Sequence, residues 1–149
     1  MAYQAKRSQK VIEDFELVNE NGQIETTIHV HIDAGSMVEK IRKKYVALVS
    51  AHGEMLKIQE KMTDKEVLHN IYEKVGRAEI DLIEAVFGEE DTKKILGFYG
   101  ERYVEMAKEV MPFISEIILP KIEKIAKQNK KELLSKYNRK QRRTILKRM

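Results

Sequence analysis

The amino-acid sequence predicts an α+β fold that is mainly α: an N-terminal β-hairpin, a bundle of about four helices and a basic helical tail at the C-terminus. Three features of the pattern predict it. Apolar and polar residues alternate from Ile12 to Asp33 on both sides of Asn21-Gly22. From Ser36 onward the apolar residues recur at steps of three and four, the period of a helix with one buried face, whereas strict alternation is that of a half-buried strand. After Pro120 they thin out among lysines.

The hairpin is expected over 12–33. Phe15 and Leu17 alternate with acids before the turn, and Ile24, Thr26, Ile28, Val30 and Ile32 alternate with polar residues after it. Asn-Gly between such runs favours a two-residue turn, because both central positions need positive φ. With Asn21-Gly22 as the loop, Glu20 faces Gln23, Leu17 faces Thr26 and Phe15 faces Ile28, so turn and apolar pattern agree on one register. The other face holds Asp14, Glu16, Glu25, Thr27, His29 and His31 with Ile12 and Val18, and is expected to be mostly solvated. A lone two-stranded hairpin is marginal in water, so this one is expected to lie on helices or to pair with another copy. A homo-oligomer is therefore among the partners the sequence allows.

Ser36 with Glu39 forms a capping-box pattern, and Val38, Ile41, Tyr45, Leu48, His52 and Met55 make one stripe of a first helix over about 36–62. Thr63 with Glu66 repeats the cap. Leu68, Ile71, Val75, Ala78, Leu82, Ala85 and Val86 then carry a second helix over about 64–87, which Gly88 can stop in a left-handed conformation. A short third helix, 91–98, is expected to be capped by Asp91 or Thr92, and Gly97 and Gly100 bracket a bend. A fourth, about 100–119, places Tyr103, Met106, Ala107, Val110, Ile114, Ile117 and Ile118 at helical spacing, with Pro112 expected to kink or break it. Residues 111–122, "MPFISEIILPKI", are apolar at nine of twelve positions counting both prolines. Such a segment is buried all round as the central helix of a core, or it faces a partner. Beyond Pro120, Ile122, Ile125, Leu133, Leu134 and Tyr137 stand among lysines, as in a solvated helix leaving the body.

A chain of 149 residues suffices for one domain with its own core, expected over 11–120 between a basic arm (1–10) and a basic tail (121–149). With no cysteine there are no disulfides or thiolate metal sites, which fits a reducing cytoplasm. No run of eighteen apolar residues and no apolar leader segment occurs, so neither membrane spanning nor secretion is expected. The net charge of +4 hides an asymmetry: from Lys121 to Met149 twelve Lys or Arg stand against two Glu, and residues 1–120 hold sixteen bases against twenty-two acids. An acidic body (−6) therefore carries a basic end (+10), a field suited to phosphate or to an acidic protein surface.

Candidate chemistry is sparse. His29 and His31 share a strand face at a spacing that can hold a metal, but no cysteine or third histidine lies nearby, so exposed strand histidines are the expected reading. Glu66 and His69 have the i, i+3 spacing of carboxylate-bridged di-iron bundles, which need two such motifs where this chain has one. His52 lies on the apolar stripe of the first helix and reads as a hydrogen-bonded core or boundary residue. Neither a phosphate-cradling glycine loop nor a nucleophile elbow is present. No cofactor, metal or catalytic residue is expected, and no enzyme.

The last fourteen residues, "KYNRKQRRTILKRM", hold seven Lys or Arg and no acid. Asn138 with Gln141 resembles a cap, which makes Arg139 to Arg148 a last short helix. Arg139 and Lys140 would then stand in its first turn, where the helix dipole disfavours cations and favours an anion. Tyr137 is the tail's one aromatic, and no helix-turn-helix, RRM or zinc-finger pattern surrounds it. Nonspecific electrostatic binding of nucleic acid stays open, with its steep salt dependence.

The order of parts, "FELVNENGQIETTIHVHID", then "FYGERYVEMAKEVMPFISEIILPKIEKI", then "NRKQRR", resembles the small tail assembly chaperones of long-tailed phages and prophages of Gram-positive bacteria, from about Phe15 to Met149. The resemblance implies a non-catalytic protein of the bacterial host cytoplasm. Such a protein binds the tape measure protein, keeps its long helices soluble and helps recruit tail tube subunits without staying in the finished phage tail. It carries over no catalytic residues. The partner-binding candidates are Met111, Phe113, Ile114, Ile117 and Ile118, with Lys136, Arg139, Lys140, Arg142 and Arg143 for an acidic partner. Met55, Met62, Met106 and Met111 could adapt to varied helical clients, or simply pack the core. Two other classes remain: a nucleic-acid-associated protein that uses the basic tail, and a structural component of the phage particle.

Overall fold

The structure, a computed structural model, describes residues 2–6, 10–33, 35–61, 64–100 and 102–148, with side chains as far as Ser135. An antiparallel hairpin of β1 (Lys10–Val18) and β2 (Ile24–Asp33) is followed by α1 (Met37–Lys61), α2 (Lys65–Phe87), α3 (Glu89–Tyr99) and α4 (Tyr103–Pro112). A six-residue π-helical segment, Phe113–Ile118, leads into the long α5 (Leu119–Arg148). The protein is thus mainly helical with an N-terminal hairpin, as its periodicities predict.

In the body of the hairpin the register is the expected one, with Phe15 opposite Ile28 and Leu17 opposite Thr26. The loop differs. Asn19 N–H donates to Gln23 O (2.9 Å) and Gly22 N–H to Asn19 O (3.0 Å), so the loop has three residues, Glu20-Asn21-Gly22, with Gly22 at φ +80°. Val18 then pairs with Ile24, and Glu25 has no opposite residue before Leu17 meets Thr26. The longer loop and this bulge offset one another, which is why the face assignment survives. The side chain of Asn19 selects the loop: its Oδ1 accepts from the N–H groups of Asn21 and Gln23, both at 3.0 Å.

The inner face of the hairpin lies on helices. Leu17, Ile28, Val30 and Ile32 are buried, together with Val38, Ile41, Leu48 and Ala51 of α1, and with Ile71, Val75, Leu82, Ile83, Val86 and Phe87 of α2. The rings of Phe15, Phe87 and Phe113 meet with centroids 4.9 to 5.7 Å apart, tying strand, helix and π segment at one point. The outer face is solvated, as expected, with Ile12, Val18 and both histidines exposed.

Asp64 caps α2, its Oδ1 accepting from Glu66 N–H at 3.0 Å; Thr63, the expected cap, and Met62 lie outside the described residues. Because N-cap carboxylates satisfy a donor the helix leaves unpaired, Asp64→Ala is expected to cost about 1 kcal/mol, read as a lower urea midpoint at unchanged slope. The third helix starts earlier than expected. Gly88, at φ +87° and ψ 167°, ends α2 and starts α3 by itself, and Thr92 lies within the helix with its Oγ1 donating back to Gly88 O at 2.6 Å. Asp91 is not a cap either, and pairs with Lys94 at 3.6 Å.

Pro112 neither breaks the chain of helical residues nor ends it. Pro112, Phe113 and Leu119 all have right-handed helical φ and ψ, but the hydrogen bonds change. Phe113 N–H reaches three residues back to Val110, and Leu119 N–H five back to Ile114. The missing donor of proline is absorbed by a change of pitch instead of a break. Pro120 follows the π segment directly within the same continuous run of helical residues and is no stop either. The expected boundary at 120/121 therefore falls inside a helix. Ile122 is fully buried, Ile125 and Ala126 pack on the core, Arg42 Nε bonds Glu123 Oε1 at 2.8 Å and Lys121 pairs with Glu13. From Lys127 to Ser135 every residue is exposed.

Candidate partner-binding surfaces

The apolar segment around Pro112 splits into two classes. Phe113, Ile114 and Ile118 are core residues, so contact with a partner through them would require opening the fold. Met111 is half-buried and Ile117 is 39% exposed, and these two remain on the surface. The segment is thus chiefly the central helix of the core, the first of the two expected readings. Of the methionines, Met106 is buried and Met55 and Met111 are half-buried.

The basic residues Lys136, Arg139, Lys140, Arg142 and Arg143 all stand on α5, and their side chains lie outside the described ones. The short helix expected from Asn138 does not exist as a separate element. α5 runs unbroken through Asn138 to Arg148, because nothing between Lys121 and Arg148 is Gly or Pro and no residue leaves the helical path. Arg139 and Lys140 therefore do not stand at a helix N-terminus, and the anion site argued from that position loses its basis. What α5 offers is a shaft: Lys127 to Arg148 is 22 residues, about 33 Å at 1.5 Å per residue. Leu133 and Leu134 are 66% and 53% exposed on it.

A second surface had no local signal in the sequence. The hairpin turn, the end of α3 and the first turns of α4 enclose a groove of about 500 Å³. Phe15, Val18, Phe98 and Tyr99 supply its apolar floor, with Phe98 and Tyr99 edge to face at 5.0 Å. Glu16, Glu20, Glu25, Glu105 and Glu109 surround it against one cation, Arg102, which bonds Glu105 at 3.4 Å. The Tyr99 hydroxyl is held above the ordinary phenol range, first by burial and then by the carboxylates of Glu109 and Glu105. These glutamates come from β1, the turn, β2 and α4, so only tertiary packing brings them together.

A third groove, about 580 Å³, lies between α2 and the start of α4, lined by Tyr72, Gly76, Ile80, Tyr103 and Met106. Glu79 also lines it and is half-buried. Burial raises its carboxyl above the usual range, and His52 across from it on α1 opposes that rise. His52 itself is exposed and not the core or boundary residue its place on the stripe predicts, because Ala51 takes the buried position beside it. An acid whose folded pKa is raised stabilises the fold when protonated and loses that contribution as pH climbs through its unfolded value toward the folded one. Glu79→Gln is therefore expected to raise the melting temperature at neutral pH and to have no effect well below pH 4.5, the ordinary value. Thermal scans across that range check the sign.

His29 Nδ1 and Asp14 Oδ1 meet at 2.7 Å across the outer face of the hairpin, and His69 Nε2 meets Glu73, not Glu66, at 3.3 Å. Both pairs are exposed. Among the described residues no group of three or more His, Asp or Glu could hold a metal ion, and no helix is long and apolar enough to cross a membrane. Comparisons with protein-family models, with curated proteins and with solved structures found no match.

Proposed function

We propose that the protein is a non-catalytic tail assembly chaperone of a long-tailed phage or prophage. It binds the tape measure protein in the host cytoplasm and helps recruit tail tube subunits. One observation carries the reading beyond the resemblance of layout: α5 leaves the body after Ala126 and extends into solvent with Leu133 and Leu134 uncovered. Isolated leucines on a surface are ordinary. Two adjacent ones on a highly charged projecting helix give a helical client both an apolar strip and a charged one, the helix-to-helix mode of recognition. Met111 and Ile117 add a second apolar contact on the body. Coexpression with a tape measure protein tests this directly. The client is expected to stay soluble and to copurify with the full chain, and failure of both removes the reading.

The charge of the same helix favours one second reading. Residues 127–148 hold ten Lys or Arg and one Glu, enough for nonspecific binding of nucleic acid. Filter binding across a salt series separates the two, because binding that weakens steeply with salt and vanishes in a chain ending at Ser135 assigns the helix to polyanions. Detection of the protein in purified particles would make it a structural component instead.

A further inference from the structure

We propose that the protein assembles head to tail, the projecting part of α5 in one copy lying in the aromatic-floored groove of the next. The argument begins with two surfaces that lack a cover. The groove exposes part of Phe98, Tyr99 and Val18 between the hairpin turn and α4, and the shaft exposes Leu133 and Leu134. Each is apolar at its centre and strongly charged around it, and the charges are opposite. Five glutamates face one arginine at the groove, and ten bases face one acid in residues 127–148. Charge complementarity around an apolar centre is the pattern of a specific protein interface, where the ionic rim steers approach and fixes register.

The two surfaces cannot meet within one chain. The backbone from Tyr103 to Arg148 is helical without a gap, and the groove takes Glu105 and Glu109 from its first turns. From Glu109 to Lys127 is 18 residues, about 27 Å along a helix, and the rest of α5 runs on from there. α5 is fastened to the middle of β1, through Lys121 on Glu13, and by the buried Ile122, and it runs on from there, whereas the groove lies at the turn end, beside Val18. A helix with no Gly or Pro after Pro120 does not fold back. Basic shaft and acidic groove are thus held apart along one continuous helix, and the matching surface is found on a second copy. The contact is heterologous, since two different patches meet, and repetition gives a ring where the rotation closes and an open chain where it does not. This inference does not rest on the chaperone reading, although a client that binds Leu133 and Leu134 would compete with the neighbouring copy for the shaft.

The test is sedimentation velocity of the full chain over a range of concentrations, after nuclease treatment, at low and high salt. Mass above that of a monomer is expected at low salt and a return toward monomer at high salt. Two variants each remove one side. A chain ending at Gln128 has a groove and no shaft; the double variant Glu16→Lys with Glu109→Lys has a shaft and a groove of weakened charge. Both glutamates are exposed and neither forms an ion pair among the described residues, so folding is expected to be kept, which circular dichroism checks. Each variant alone is expected to self-associate at least about tenfold more weakly than the full chain. Mixed, they are expected to form a one-to-one pair that grows no further, since only one intact groove and one shaft are present. A full chain that stays monomeric at low salt, a truncated chain that keeps the parent's assembly state, or a mixture that does not pair overturns the proposal. Assembly that disappears with nuclease treatment overturns it as well and assigns the shaft to nucleic acid.

Discussion

Ile114→Ala is expected to destabilise the fold by about 2–5 kcal/mol, while Ile117→Ala, three residues on, costs below about 1 kcal/mol. The two isoleucines share a segment and a chemistry, and differ in surroundings. Ile114 is fully buried in the core, and removing its side chain leaves a cavity that close-packed neighbours fill only in part. Ile117 is 39% exposed and loses few contacts. Against a total stability of about 5–15 kcal/mol for a domain, the first change alone removes a large share of what holds the fold. Urea unfolding with both variants measures the difference. The pair also separates two origins of a binding defect: loss of client binding in Ile114→Ala follows from loss of fold, whereas loss in Ile117→Ala, at near-native stability, assigns that side chain to the client surface. Equal costs for the two would contradict the division of the segment into core and surface.

Gly88→Ala is expected to cost about 1–3 kcal/mol through the backbone alone. Gly88 holds φ +87° and ψ 167°, a region that residues with a Cβ essentially do not occupy, yet a Cβ built there meets nothing within 4 Å. No clash therefore adds to the strain. The consequence reaches two helices, because this one residue donates its N–H to Glu84 O, accepts from Thr92 N–H and Oγ1, and joins α2 to α3 without a linker. Gly53→Ala in the interior of α1 is the control. There too nothing lies within 4 Å of the new methyl group and φ is not positive, so the same substitution is expected to stabilise by about 0.5–1 kcal/mol. Opposite signs at the two glycines, read from melting temperatures, distinguish conformational strain from packing.

Where one periodic signal dominates, the sequence is a sufficient guide. Phe15, Leu17, Ile28, Val30 and Ile32 declare the inner face of the hairpin, and Ile71, Val75, Leu82 and Val86 that of α2, because burial on one face leaves little choice of register. Legibility fails where two structures share one signature. Asn21-Gly22 serves a two-residue turn and a three-residue turn equally well, and the side chain of Asn19 decides between them. Asn138 and Gln141 have the spacing of a cap, but a cap needs the preceding residues to leave the helix, and none does. The acidic groove was not legible at all, since its glutamates are brought together by packing of the hairpin on α3 and α4 and obey no period along the chain.

The six residues Phe113–Ile118 bear on the far end of the molecule. A π turn encloses one residue more per hydrogen-bonded ring than an α turn, and each α-helical residue advances the direction of side chains by about 100°. The number of residues in this short segment is therefore an angular setting for everything beyond it. A deletion or insertion there would swing Leu133 and Leu134 to another compass bearing without altering a residue of the shaft, so the aim of the C-terminal helix is encoded some twenty residues before the leucines that make its contacts.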